Sequence, residues 1–173
     1  MVNTVGPAAL KEFDSKNNAP TFNGTTAYIE VGQALLNNLP AFSLGGWIKP
    51  SITQPARTGL FGQNDCVEFG FIDGATLQVR TPTGGSVNAP YPFAVNGWHH
   101  VAVVGDGNAL RIYLDGQLAA SGGNPTASYG GSPDLFHIGG GGIFDPTGNF
   151  FRGQIDEVFV HHRPLSGGEV LSL

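Results

Sequence analysis

The chain predicts an all-β fold in which two antiparallel sheets face each other as a sandwich, and three observations carry that expectation. First, β-branched and aromatic residues recur in short runs closed at both ends by turn residues. Second, only 12% of the 173 residues are charged while 27 are Gly and 12 are Pro, a composition suited to many short strands and tight turns. Third, the runs place apolar residues on alternating positions, so each strand has a core face and a second, mixed face. The length is that of one domain with a substantial core.

Residues 1–19 keep no sustained period and read as a lead-in or a partial first strand, and residues 20–173 read as one sandwich domain. Strands are predicted at Ala27–Val31, Ala41–Lys49, Gly59–Gln63, Cys66–Ile72, Thr76–Thr81, Trp98–Val104, Leu110–Leu114, Gln117–Ser121, Leu135–Ile138 and Gly153–His161. Asp115-Gly116 supplies the positive φ angles of a two-residue turn, which makes Leu110 to Ser121 a hairpin. Asp73-Gly74 and Gly105 to Asn108 are less complete turn signals. Pro164 ends the last strand, and Ser166 with Glu169 forms a capping box that opens a short C-terminal helical turn. Alternation sets Phe42, Leu44 and Ile48 against Ser43, Gly45 and Trp47, and Leu110, Ile112 and Leu114 against Arg111, Tyr113 and Asp115.

Several function classes are disfavoured at this level. A formal net charge of −5 with only 8 scattered Lys and Arg gives no basic face for nucleic acid. No apolar run has the length of a membrane span, so membrane insertion is not expected. The N-terminus lacks the basic-then-apolar pattern of a signal peptide. The lone Cys66 makes no internal disulfide and reads as a small strand residue.

Seven segments then resemble one family in its own order. They are Phe22-Asn23-Gly24 with Tyr28 to Val31, Phe42 to Leu44 with Gly46 to Pro50, Gly97 to Val103, Leu110 to Gly116, His137 to Gly140, Gly153 to Val158, and Arg163 to Ser166 before Glu169. Together they are similar to the LamG-like (laminin G-type) domains of the concanavalin A-like lectin/glucanase superfamily, of the bacterial surface-protein type. The resemblance implies a jelly-roll β-sandwich from a secreted or surface protein, one that binds polysaccharide or glycoprotein glycans, binds calcium, or packs against neighbouring domains of a larger protein. Many members carry an Asp-x-Ser-Gly-Asn-Gly-like segment that supplies calcium ligands; here only Asp14 to Asn18 is similar, and it lies unusually close to Phe22.

The candidate residues each carry two readings. By alternation Asp156 shares a face with Val158 and Val160, so its charge must be neutralised, either by a calcium ion with Asp14 or Asn17 as further ligands, or by backbone N–H groups. Gln63-Asn64-Asp65, with Glu68 beyond, is a dense polar connection that would read sugar hydroxyls or simply form an Asx turn. A glycan site also wants an aromatic face. Tyr91, Phe93, Tyr129, Phe144 and Phe150 lie in loop-like sequence, with Tyr129 and Phe144 taken as sugar contacts, while Trp98 is assigned to the core and Trp47 to either face. His99-His100 and His161-His162 point to opposite sides of their strands and cannot chelate one ion as pairs.

Catalysis has no matching motif. A retaining glycosidase of this superfamily wants a Glu-x-Asp-x-x-Glu strand, which is missing, and Asp156 and Glu157 point oppositely. The sequence therefore predicts a non-catalytic carbohydrate-binding module of a secreted or surface protein, with calcium assistance as an option. An adhesion or spacer module making protein contacts without a glycan site stands as the alternative, with a glycosidase or polysaccharide lyase ranked behind both.

Overall fold

The computed structural model describes residues 19–173. It contains strands β1 (Thr21–Asn23), β2 (Ile29–Glu30), β3 (Phe42–Pro50), β4 (Thr58–Gln63), β5 (Val67–Asp73), β6 (Thr76–Thr81), β7 (Gly85–Pro90), β8 (His99–Gly105), β9 (Leu110–Leu114), β10 (Gln117–Gly122), β11 (Phe136–Ile138) and β12 (Arg152–His161), then helix α1 (Gly167–Leu171). They form two antiparallel six-stranded sheets, the first in the order β1-β12-β3-β8-β9-β10 and the second in the order β2-β11-β4-β5-β6-β7. This is the two-sheet sandwich the sequence predicts, closed by the short terminal helix.

Two strands escape the sequence pattern, and both are edges. Thr21–Asn23 borders β12 and Gly85–Pro90 borders β6. An edge strand borrows its pairing from one neighbour and buries little, so its residues need not be strong strand formers; Pro90 is tolerated because it closes an edge. The predicted Ala27–Val31 shrinks to two residues paired with β11.

The core fills the space between the sheets. Phe22, Phe42, Leu44, Ile48, Val101, Val103, Ile112 and Ile155 of the first sheet meet Phe61, Phe69, Phe71, Leu77, Val79 and Phe136 of the second. The outer face of the first sheet carries a smaller apolar cluster of Ala102, Val104 and Tyr113, with Phe159 against it, and the C-terminal segment covers it with Leu165 and Val170. Ser43 fastens that segment: its Oγ accepts from the Leu165 N–H at 2.8 Å and donates to the Arg163 carbonyl at 2.9 Å. Ser166 caps α1, accepting from the Glu169 N–H, while the Glu169 carboxylate accepts from the Ser166 N–H. The tail therefore occupies one end of this outer face and leaves the other end open.

One face assignment is corrected. Ile155 points into the core opposite Ile48, and Asp156 stands opposite Trp47 on the outer face. A register shift between Asp156 and Phe159, with Glu157 at φ +51°, inserts an extra residue, so that Val158 and Val160 return to the core side. Asp156 thus lies across the sheet from the valines with which strict alternation groups it.

Candidate functional site

Two polar regions compete as the site, and their hydrogen bonding separates them. The first is the β4–β5 turn. Asn64 is buried and its Nδ2 donates to Asp65 Oδ2 and Asp134 Oδ2, both at 3.2 Å, while its carbonyl accepts from Ser132 Oγ at 2.6 Å. Glu68 is 2% exposed; Oε1 accepts from the Asp65 N–H at 3.0 Å and Oε2 pairs with Arg80 Nη1 at 2.9 Å. Asp65 holds a left-handed φ of +53°. The three residues are brought together, but they bind one another and the adjoining loop.

The aromatic partners expected for this region turn inward. Tyr129 is 0% exposed, packs edge-on against Phe42 at 5.0 Å, accepts from the Gly107 N–H at 2.9 Å and donates to the Ala109 carbonyl at 3.2 Å. Gly84 and Gly105 make room for its ring, since a Cβ at either would come within 2.7 Å of a Tyr129 carbon. Phe144 is 4% exposed, and the Arg57 guanidinium lies 5.6 Å from its ring centre while donating to the Phe144 carbonyl. Neither ring offers a free face to a sugar, which corrects both assignments. Tyr91 is buried as well, and Phe93 stacks on His99 at 3.6 Å.

The second region is the open end of the first sheet's outer face. Register places Thr21, Gln154 and Lys49 side by side across β1, β12 and β3. The Lys49 Nζ extends to 5.9 Å from the ring centre of Trp98, which precedes β8. Arg152 is two residues from Gln154 on the same face, and Asp156 two residues the other way, opposite Trp47. A cleft of about 420 Å³ opens here, lined by Thr21, Lys49, Ser51, Asn96, Arg152 and Gln154 among others. That volume suits a small ligand or a short piece of a polymer. Trp98 is half-buried and lies outside the core cluster, so its assignment to the core is corrected.

The decisive property is availability. Among the described residues, no hydrogen bond engages the side chains of Thr21, Lys49, Asn96, Arg152 or Gln154, in contrast to the interlocked groups at Asn64 and Glu68. Sequence reading missed these cleft residues. The outward alternation of Arg152, Gln154 and Asp156 was the signal that could have found them.

Asp156 has half of its bonding satisfied. Oδ1 accepts from the Glu157 N–H at 2.9 Å, while Oδ2 is buried without a partner. A calcium ion would need several further oxygens. Among the described residues no group of three or more His, Cys, Asp or Glu is arranged to hold a metal. Asp14 and Asn17 lie outside the described residues.

Elsewhere on this face, burial lowers the pKa of His100, an effect that Asp115 opposes, and its ring packs edge-on against Trp47 at 5.4 Å. Cys66 is buried, and that burial pushes its thiol up to about 11. It is a structural residue without a reactive thiolate.

A two-sheet antiparallel sandwich with an open, side-chain-lined cleft on one outer face defines the class of lectin-like jelly rolls. Sequence comparison makes this specific: residues 23–171 match Laminin_G_3, and the chain belongs to that family of the concanavalin A-like lectin/glucanases superfamily. Among curated protein sequences none matches. Solved structures share the fold at low identity. A candidate carbohydrate-binding protein from Bacteroides ovatus is 20% identical with a TM-score of 0.75, over 88% of this chain and 45% of that one. Domain 4 of AbnA, a GH43 extracellular arabinanase from Geobacillus stearothermophilus solved with arabinotriose, is 23% identical with a TM-score of 0.61, over 89% of this chain and 75% of that one. The CBM40 domain of the Ruminococcus gnavus IT-sialidase, bound to α2,3 sialyllactose, is 13% identical with a TM-score of 0.63, over 86% of this chain and 96% of that one. At these identities the likeness establishes the fold. The chain spans less than half of the Bacteroides protein.

Proposed function

We propose that this chain is a non-catalytic carbohydrate-binding module of a larger secreted or surface protein, and that its glycan lies along the open cleft on the first sheet. The observation that carries this reading is the set of amide and hydroxyl side chains without hydrogen bonds and two cations without carboxylate partners that line the cleft, one of which, Lys49, reaches the half-buried Trp98 ring. Sugar hydroxyls need donors and acceptors that are not already spent, and the C–H face of a pyranose needs an aromatic surface. Gln154 and Asn96 offer both a donor and an acceptor, and Thr21 adds a hydroxyl.

Carbohydrate-binding domains among the structural neighbours support the reading, as does the family. The non-catalytic reading is supported by the cleft's own lining, which holds cations, amides and hydroxyls and, among the described residues, no pair of carboxyl groups for acid and nucleophile. Calcium is not needed for this reading, since the cleft's own lining supplies the hydrogen-bonding groups.

A glycan array run on the folded protein with calcium and with EDTA tests the proposal. Binding to a defined glycan set, unchanged by EDTA and lost in Gln154→Ala and Trp98→Ala, is the expected result. A folded protein that binds no glycan would overturn it and favour the adhesion or spacer reading. A melting temperature that rises with calcium would return the cation to Asp156.

A further inference from the structure

We infer that the cleft selects an acidic glycan, with the anionic group of one sugar unit held between Lys49 and Arg152; this rests on the cleft being the glycan site. The described cations divide into two kinds. Arg57, Arg80, Arg111 and Arg163 each pair with a carboxylate, at 3.5 Å to Asp145, 2.9 Å to Glu68, 2.7 Å to Asp106 and 2.8 Å to Glu169 respectively. Lys49 and Arg152 form no such pair among the described residues, and both line the same cleft. In a chain whose formal net charge is −5, two cations without a carboxylate partner on one face stand apart from the other described cations.

Their spacing suits one shared anion. Gln154 stands directly opposite Lys49 and Gly153 opposite Pro50, so Arg152, one residue further, is the diagonal neighbour of Lys49. Diagonal positions on one face are roughly 7–8 Å apart at the backbone, within reach of long side chains. A carboxylate or sulfate between them would take a planar two-point contact from the guanidinium and a point charge from the ammonium. Gln154, unengaged and adjacent, supplies an amide to the same oxygens or to the neighbouring ring hydroxyl.

Asp156 occupies the other diagonal position from Lys49, opposite Trp47, yet does not reach it within ion-pair distance. Its carboxylate repels an anion in the cleft. It therefore opposes acidic ligands rather than recruiting them, and its removal should tighten their binding.

Titration calorimetry on the full chain with oligogalacturonate, its methyl ester and a sulfated dextran oligosaccharide tests the inference. Oligogalacturonate should bind at least tenfold more tightly than its neutral ester, and the preference should shrink as salt is raised. Lys49→Gln and Arg152→Gln should each erase most of that preference without moving the melting temperature, and Asp156→Asn should increase it severalfold. Sulfated dextran binding in place of oligogalacturonate would assign the anion as sulfate and leave the cation pair intact. Equal binding of the acid and its ester, or acid binding indifferent to both cation variants, overturns the inference while the glycan reading stands. If neither these probes nor any glycan of the array binds the folded protein, both fall.

Discussion

The β4–β5 turn and the cleft on the first sheet both gather polar and charged side chains, and they differ in whether those side chains are spent. At the turn, Asn64, Asp65, Glu68, Arg80 and Asp134 satisfy one another. At the cleft, Arg152, Gln154 and Asn96 line an open space with no hydrogen bond or ion pair to their side chains among the described residues, and Lys49 has only the Trp98 ring near its ammonium. A dense polar stretch in sequence most often means that neighbours along the chain will find each other, since Asn and Asp close turns by bonding locally. Side chains set two apart on separate strands point outward alone and stay available. Binding capacity here follows strand alternation across the sheet, and local polarity is a poor guide to it.

The sharpest way to break this comparison is to show that an aromatic assigned to the core acts as a sugar platform. Tyr129→Ala should cost about 3–5 kcal/mol, because it empties the space against Phe42 and strands the Gly107 N–H and the Ala109 carbonyl that its hydroxyl serves. Tyr129→Phe keeps the ring and should cost about 1 kcal/mol. Denaturant unfolding measures both. Glycan affinity of the folded Phe variant should equal that of the parent protein, and a loss there would place Tyr129 in the site.

Next in size comes a crossed pair of substitutions. Glu68→Ala removes a buried carboxylate that receives the Asp65 N–H and the Arg80 guanidinium, and should destabilise by about 2–3 kcal/mol. Gln154→Ala touches no internal bond, so stability should shift by no more than about 0.5 kcal/mol. Affinity should behave in the opposite sense, intact in the first and lost in the second. If Glu68→Ala abolishes binding at full stability, the two regions exchange roles.

How much of this was legible beforehand depended on how local each determinant is. The Leu110 to Ser121 hairpin and the Ser166–Glu169 capping box are written within a few residues, and both stand in the structure. β7 is not: Gly85-Ser86-Val87-Asn88-Ala89-Pro90 has one β-branched residue and becomes a strand because β6 offers it a ladder. Exposure is less local still. Tyr129 sits among Ser128, Gly130 and Gly131, an ordinary loop sequence, and is buried because its N–H bonds the Leu39 carbonyl and distant Gly84 and Gly105 leave a slot for the ring. Strict alternation groups Asp156 with the wrong face because one left-handed residue, Glu157, interrupts the pattern from which faces are inferred.

The smallest effect concerns what keeps the cleft's end of the sheet distinct from the end the tail covers. Glu169 carries the cap that holds the tail: hydrogen bonds from Arg163 first, then from the Ser166 backbone and hydroxyl, hold its carboxyl at about 2, down from an ordinary 4.5. Because the folded value is the lower one, the stabilisation is fully present above 4.5 and is lost as pH falls from there toward 2. The protection factor of the Val170 amide, whose N–H bonds the Ser166 carbonyl, taken against the intrinsic rate at each pH, should therefore fall across that window, and Glu169→Gln should flatten the dependence. The group is fully exposed, so the change should stay within α1 and the Leu165 contact. Amides of Lys49 and Gln154, on the open half of the face, should keep their protection across the same window; if they lose it together with Val170, the covered and open ends are one cooperative unit and the tail governs the cleft.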